Sequence, residues 1–406
     1  MMRILHTADW HIGQTLNGFD REAEHRAFLD ALADVIVTEE VDALLVAGDI
    51  FDGINPSGES QRLLYTAIAS FLRRRPGLTI VMIAGNHDPA ARLEAPEAVL
   101  RELGVHVLGG LHRDGATVDL DRHLIPLTDA SGTPRAHVLA VPYLRLGDLP
   151  GYTVGMQGAG ESAVVTAVRA LHAGMVAAAL PRAGGLPLLA MGHLTCAGGL
   201  ESEGAERRIL IGGDHAVPPE IYPSELTYVA LGHLHRAQNL DGGRVRYSGS
   251  PFPLSASEIG YNHGVTLVDL DAGPPHRHIP MPPTVACLRI PNTGFAPLDQ
   301  VETALLALDL DADTPMGLRP FVHIALTPDR PATTLTAEAE ALLDRHPVRL
   351  ASLRIDRTTA EQPQAPPASL ADTTPEDLFR EAFRQTHSLD PDNSHLSAFR
   401  DALSEV

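Results

Sequence analysis

Five short clusters of Asp, Asn and His, each placed at the end of an apolar run, constrain this chain more than any other feature. Ala8-Asp9-Trp10-His11 follows the run Arg3–Thr7, and Gly48-Asp49-Ile50-Phe51-Asp52 follows Asp42–Ala47. Gly85-Asn86-His87-Asp88 follows Leu78–Ala84, Gly192-His193 follows Pro187–Met191, and Gly232-His233-Leu234-His235 follows Thr227–Leu231. Short continuous apolar runs bounded by turn residues read as buried strands. Ala136–Val141, Val245–Ser248 and Val265–Leu270 read the same way. Helices are predicted over Arg21–Glu40 and Gln61–Arg74, and over the Ala-rich stretch Gly155–Leu180. Buried strands separated by helices predict an α/β fold whose sheets are covered by helices. In such folds the loops beyond the strand C-termini converge on one edge, where sites are built.

The residue types in these clusters suit one task. Asp, Asn and His supply oxygen and nitrogen ligands without a thiolate, a mix that fits manganese, iron or zinc. Glycine precedes Asp49, Asn86, His193 and His233, which lets the backbone turn sharply and brings the side chains inward. Seven such ligands can bind two ions if one carboxylate bridges them, and a pair of ions is a clamp for phosphoryl transfer. A single Asp-x-His carries little information; the ordered set of five, each behind an apolar run, is specific. His6, His25, His106 and His123 lie outside the clusters and read as ordinary core or surface histidines.

At 406 residues the chain is long enough for two to four domains. Its 31 basic and 51 acidic residues give a net charge of -20, which argues against holding nucleic acid by bulk electrostatics alone. Every basic residue is Arg, as a GC-rich coding bias would give. The two cysteines, Cys196 and Cys287, are far apart, which excludes a disulfide scaffold or zinc ribbon and fits a reduced cytoplasmic protein. The apolar stretch Ala163–Leu180 carries Arg169 and His172, so no membrane span is expected, and Met1–His6 lacks the apolar core of a signal peptide. The Pro- and Gly-rich punctuation around 272–275 predicts the end of a first domain, 1–272. Residues 280–356 then read as strand, helix, strand, helix, strand, a small α+β module. A Pro-rich linker is expected over 357–370. A helical region follows over 371–406, with Thr374-Pro375-Glu376-Asp377 as a helix start and a second helix over His395–Leu403. An apolar helix at the end of a linker suits docking to a partner as well as packing on its own body.

The ordered motifs resemble those of the calcineurin-like metallophosphoesterase superfamily. Met2–Gly13 and Gly48–Asp52 are similar to its branch of bacterial DNA-repair nuclease subunits. The resemblance is firm over about the first 270 residues and rests on order and size beyond them. It implies a β-sandwich flanked by helices, with a capping module and C-terminal helices. It implies that Asp9, His11 and His235 hold one metal, that Asn86, His193 and His233 hold the other, and that Asp49 bridges them. The ions would be divalent, manganese first. His87 would reach the scissile phosphate and assist the leaving group, with Asp52 and Asp88 in supporting positions behind the ligands. By the same resemblance the activity would be 3′-to-5′ double-strand exonuclease and single-strand endonuclease. The partners would be DNA, an SbcC-type coiled-coil ATPase and a second copy in a heterotetramer, at the nucleoid and with no membrane. Dimerisation would use helices near Gln61–Arg74 and Pro96–Leu103. Two other readings share the motifs: a small-molecule phosphodiesterase acting on cyclic nucleotides, and a non-catalytic scaffold braced by metals.

Overall fold

The computed structural model describes residues 2–149, 163–201, 216–271, 276–356, 375–387 and 390–392, with His395, Leu396 and Phe399. The chain forms two units, 1–356 and 357–406. In the first unit two six-stranded sheets lie face to face. One runs, in spatial order, His276–Pro280, Gly264–Asp269, Arg3–Thr7, Ala43–Ala47, Thr79–Ile83, Val105–Leu108. The other runs Gln238–Leu240, Val245–Tyr247, Leu226–Gly232, Leu188–His193, Pro134–Ala140, Leu124–Thr128.

Continuous apolar strands are required because both faces of each sheet are covered. Along Ala43–Ala47, residues 43, 45 and 47 enter the layer between the sheets, with Ile4, Val81, Val138, Leu189 and Ala230. Leu44 and Val46 point the other way, toward Phe28, Leu32, Leu64 and Phe71. Those last residues line the helices Glu22–Thr38 and Gly58–Arg74 at helical spacing. The second helix starts three residues before its predicted position because Ser57 caps it, accepting from the Ser60 N–H at 3.1 Å. The second sheet is covered by the helix Ala163–Ala183, through Val164, Val168, Leu171, Met175 and Val176. That helix has the length and composition of a membrane span, but half of its most apolar window is buried within this fold. Residues 155–162 of its predicted range lie outside the described residues.

The first sheet continues past the expected boundary at 272. His276–Pro280 lies beyond it, yet pairs antiparallel with Gly264–Asp269 and forms the edge of the first sheet. As an edge strand it needs no continuous apolar face, so His276, Arg277 and His278 did not read as a strand. The small module that follows has the predicted alternation, with Cys287–Ile290, Phe321–Leu326 and Arg349–Ile355 forming a parallel sheet. Leu298–Leu306 and Ala332–Leu343 are the helices between these strands, and the module has its own core around Val301, Ile324, Leu335 and Leu342.

Stacked cations join the module to the nearby sandwich. Arg21 is buried, donates to both Glu24 oxygens at 2.9 and 2.6 Å, and lies 4.6 Å from the Phe252 ring centre and 5.5 Å from that of Phe321. Arg349 covers Phe321 at 3.7 Å and donates to the Asp20 carbonyl oxygen at 3.1 Å. In the second unit the helix Pro375–His387 carries Phe379, which stacks on Phe399 at 4.4 Å, and Phe383, which meets His395 at 4.7 Å. The predicted linker and Thr374 lie outside the described residues, as does most of the second predicted helix. Replacing Phe321 with Ala removes the ring between Arg21 and Arg349. We expect a loss of about 3–5 kcal/mol of stability, read by chemical denaturation.

Candidate metal centre

The first two loops are stitched together by their backbones. Asp9 N–H donates to the Gly48 carbonyl and His11 N–H to that of Asp49, both at 3.0 Å, and Ile12 N–H reaches the Ile50 carbonyl at 2.8 Å. The parallel pairing of Arg3–Thr7 with Ala43–Ala47 thereby continues past the strand ends and holds Asp9, His11 and Asp49 together. The third loop is tied in by Asp88. Its buried carboxylate accepts from Gly85 N–H at 2.8 Å, Ile50 N–H at 3.1 Å and Phe51 N–H at 2.8 Å. Asp88 therefore orients loops, not an imidazole. Burial, then the charge of Asp49, pushes its carboxyl up to about 6.

Asp9, His11, Asp49 and His233 all have positive φ, at 54°, 46°, 49° and 101°. Such backbone costs on the order of 1–3 kcal/mol per residue and persists only where surrounding contacts impose it. Glycine is demanded by close approach at two positions. A Cβ at Gly85 would lie 2.2 Å from Asp49 Oδ1, and one at Gly232 would lie 2.0 Å from the Ala47 carbonyl oxygen.

Among the described residues, three groups bring potential ligand atoms within 4.8 Å of one another: Asp9, His11 and His235; Asp49, His193 and His233; and His11, Asp52 and His87. The first has the members expected for one ion; the second places His193 and His233 with Asp49, and the Asn86 amide oxygen lies 2.9 Å from His193 Nε2. Asp49 stands between them. Its Oδ2 is 3.3 Å from His193 Nε2 and 3.7 Å from His11 Nε2, while its Oδ1 accepts the His87 backbone N–H at 2.9 Å. In the third group His11 Nδ1 faces Asp52 Oδ1 at 3.1 Å, and His87 Nδ1 donates to the Asp52 carbonyl at 2.9 Å. Asp52 thus supports His11, and the His87 ring packs edge-on to His11 at 4.8 Å. Asn86 and His87 are half-buried, whereas Asp9, His11, Asp49, His193, His233 and His235 are buried, so the cluster is more open at Asn86 and His87.

Whether these residues fit divalent ions is testable on their own atoms. Asp9 Oδ2 and His11 Nε2 are buried without a hydrogen-bond partner, an arrangement that costs free energy unless a cation completes it. His193 Nδ1 donates to the Ala47 carbonyl at 2.8 Å, which turns Nε2 toward Asp49 and Asn86. Burial disfavours the His193 cation, but the facing Asp49 outweighs it and lifts the imidazole to about 9. Burial likewise opposes Asp49, yet His193 and His11 hold its carboxyl well below the usual range. Asp9 moves the other way: burial raises it, and Asp49 adds to the rise. Burial and the neighbouring His193 cation keep His233 neutral. A proton on His193 therefore sits where a cation would, between Asp49 and Asn86, and the donor set fits two divalent ions.

Sequence reasoning did not find Glu258. It is fully buried and faces His235 Nδ1 at 3.0 Å, although 23 residues separate them. No spacing rule connects the two; only the fold brings them together. His6, His25 and His123 take the structural roles expected of them. They bond Tyr228 and the Leu231 carbonyl, the Arg21 and Trp10 carbonyls, and the Ala140 carbonyl respectively.

The raised His193 gives the metal-free protein a pH signature. A group whose folded value is raised from 6.5 to about 9 contributes stability that is full below about 6.5 and lost as pH rises through 9. Denaturation of metal-free protein should show stability falling across that window, and His193→Gln should flatten the slope.

The calcineurin-like phosphoesterase family matches residues 2–237. The family described as Type 5 capsule protein repressor C-terminal domain matches residues 284–387, which span the small module and the helix Pro375–His387. Over the full length of both chains the protein is 64% identical to SbcD of the nuclease SbcCD from Rhodobacter capsulatus. It is 34% identical to SbcD of Escherichia coli K12, over 89% of this chain and 87% of that one. For SbcD of Bacillus subtilis 168 the identity is 36%, over 67% of each chain. An identity of 64% over the whole length, with the phosphoesterase family match, places the chain in the SbcD family of calcineurin-like phosphoesterases.

Proposed function

We propose that this chain is the nuclease component of an SbcCD-type complex, hydrolysing DNA phosphodiesters with two divalent ions, manganese first. Asp9, His11 and His235 would hold one ion, Asn86, His193 and His233 the other, and Asp49 would bridge them. The observation that carries this is the place of Asp49 Oδ2, within 3.3 Å of a histidine from one group and 3.7 Å of a histidine from the other. Two ions in such a site activate a water and neutralise charge on the phosphoryl oxygens.

The remaining chemistry belongs to the chain's own side chains. The Asp49 carboxylate is fixed at Oδ1 by the His87 backbone N–H, which leaves Oδ2 turned to both groups. His87 Nδ1 donates to the Asp52 carbonyl, which leaves Nε2 as the atom aimed at the departing oxygen; in its doubly protonated form the ring gives that oxygen the Nε2 proton and keeps the one on Nδ1. Asp52 keeps His11 in the tautomer whose Nε2 is a ligand.

Membership of the family supports reading the chain as a 3′-to-5′ double-strand exonuclease and single-strand endonuclease, docked to an SbcC-type coiled-coil ATPase, dimeric within a heterotetramer, in the cytoplasm. A net charge of -20 supports DNA grip that is shared with the ATPase and with local Arg residues. The α+β module, joined to the sandwich through Arg21, Phe321 and Arg349, would cap the active-site face and select DNA geometry. The aromatic face of Pro375–His387, with Phe379 and Phe383, would dock the ATPase.

His87→Ala should keep both ions by metal analysis and lower turnover on linear duplex DNA by about 10²–10⁴-fold. Loss of metal in this variant would reassign His87 as a ligand, and faster hydrolysis of cyclic AMP than of DNA by the intact chain would favour the small-substrate reading. Removing residues 372–406 should abolish co-purification with the ATPase while the nuclease keeps its rate on short oligonucleotides; a stable complex after the deletion would place docking elsewhere.

A further inference from the structure

Glu258 lies outside every motif that marks the site, yet both its carboxylate oxygens are committed. Oε1 receives His235 Nδ1 and Ser255 Oγ, each at 3.0 Å, and Oε2 receives the Leu254 N–H at 2.9 Å. Its backbone is held too: the carbonyl accepts the Tyr261 N–H at 2.9 Å and faces His263 Nε2 at 2.9 Å. A carboxylate that accepts from Nδ1 fixes the histidine in the Nδ1–H tautomer, so the lone pair is on Nε2. His235 itself belongs to the group with Asp9 and His11.

The same helical turn, Ala256–Glu258, leads directly into Ile259. Ile259 packs against Val285, Cys287, Phe321 and Ala351, the apolar residues at the base of the three-stranded module. Two neighbouring residues thus face opposite ways, one gripping a histidine of the site and the other seated on the module. Phe321 is also the ring shared by Arg21 and Arg349.

We propose that Glu258 is a positioning residue for His235, and that through Ile259 the packing of the α+β module sets how well His235 is oriented. This rests on the two-ion reading above. A shift of the module carries Ile259, tilts the Ala256–Glu258 turn and loosens the imidazole. The module then tunes one half of the metal centre without touching an ion. In the other half, His193 is held by the Ala47 carbonyl, at 2.8 Å from its Nδ1, a contact made without Glu258 or Ile259.

The test uses the full-length chain with Glu258→Ala, Glu258→Gln and Ile259→Ala. Nitrogen-15 NMR of the histidine rings reads the His235 tautomer without metal, and calorimetric titration with Mn²⁺ reads each binding step. Glu258→Ala should shift the His235 signals toward a tautomer mixture and weaken one of two Mn²⁺ steps by about 10–100-fold, leaving the other unchanged. Glu258→Gln, whose amide oxygen still accepts, should give a smaller change at the same step. Ile259→Ala should reproduce the loss at that step in weaker form. An unchanged His235 signal in Glu258→Ala would overturn the positioning role. Native behaviour of Ile259→Ala by both readouts would overturn the link to the module. If the unsubstituted chain bound no Mn²⁺, the two-ion reading would fail, while the metal-free NMR comparison would still decide the role of Glu258.

Discussion

A fully buried carboxylate, Asp49, sits where three loops meet, and the arrangement around it depends on satisfying that charge. Its backbone carbonyl receives His11 N–H, its Oδ1 receives His87 N–H, and its Oδ2 faces His11 and His193. An isolated ionised carboxylate at this depth would be prohibitive, and histidine partners with backbone donors offset the desolvation. The strained backbone at Asp9, His11, Asp49 and His233 is the conformational cost of that convergence. Two interlocked cores beneath the loops, one between the sheets and one under the helices, keep the strand ends from relaxing.

The strands that carry the site were legible because burial on both faces demands unbroken apolar runs. A run of Ala, Leu and Val closed by Gly-Asp has few alternative readings. What could not be read lies at the edges. Val105–Leu108, Leu124–Thr128, Gln238–Leu240 and His276–Pro280 are the margins of the two sheets, each paired on one side only, so no unbroken apolar run is required of them. His276–Pro280 moved the limit of the first sheet beyond the Pro- and Gly-rich punctuation, since turn residues end a strand without ending a sheet. The predicted site residues gather in one place, but their support was legible only in part. Asp88 binds three backbone N–H groups of two loops, a role that its position after His87 does not reveal. Glu258 has no local signal, because its link to His235 exists only once the second sheet and the segment after Tyr247 are in place.

The acidic balance and the histidine-rich centre belong to one electrostatic picture. With a net charge of -20, the protein gains little from general attraction to a polyanion. On the proposed two-ion reading, its affinity for phosphate would be concentrated at a centre whose charge comes from bound cations. The lysine-free sequence places its positive charge in planar guanidinium groups. At Arg21 and Arg349 these are used on aromatic rings and carbonyl oxygens inside the fold, not displayed for a ligand.

The residues that complete the centre extend from Asp9 to Glu258, nearly two-thirds of the way along the chain. During synthesis the early loops emerge long before the histidines that must face them. A fragment ending before Gly232 lacks His233 and His235, and on the two-ion reading would lack a ligand from each half of the cage. On that reading the chemistry would be absent until most of both sheets had been synthesised.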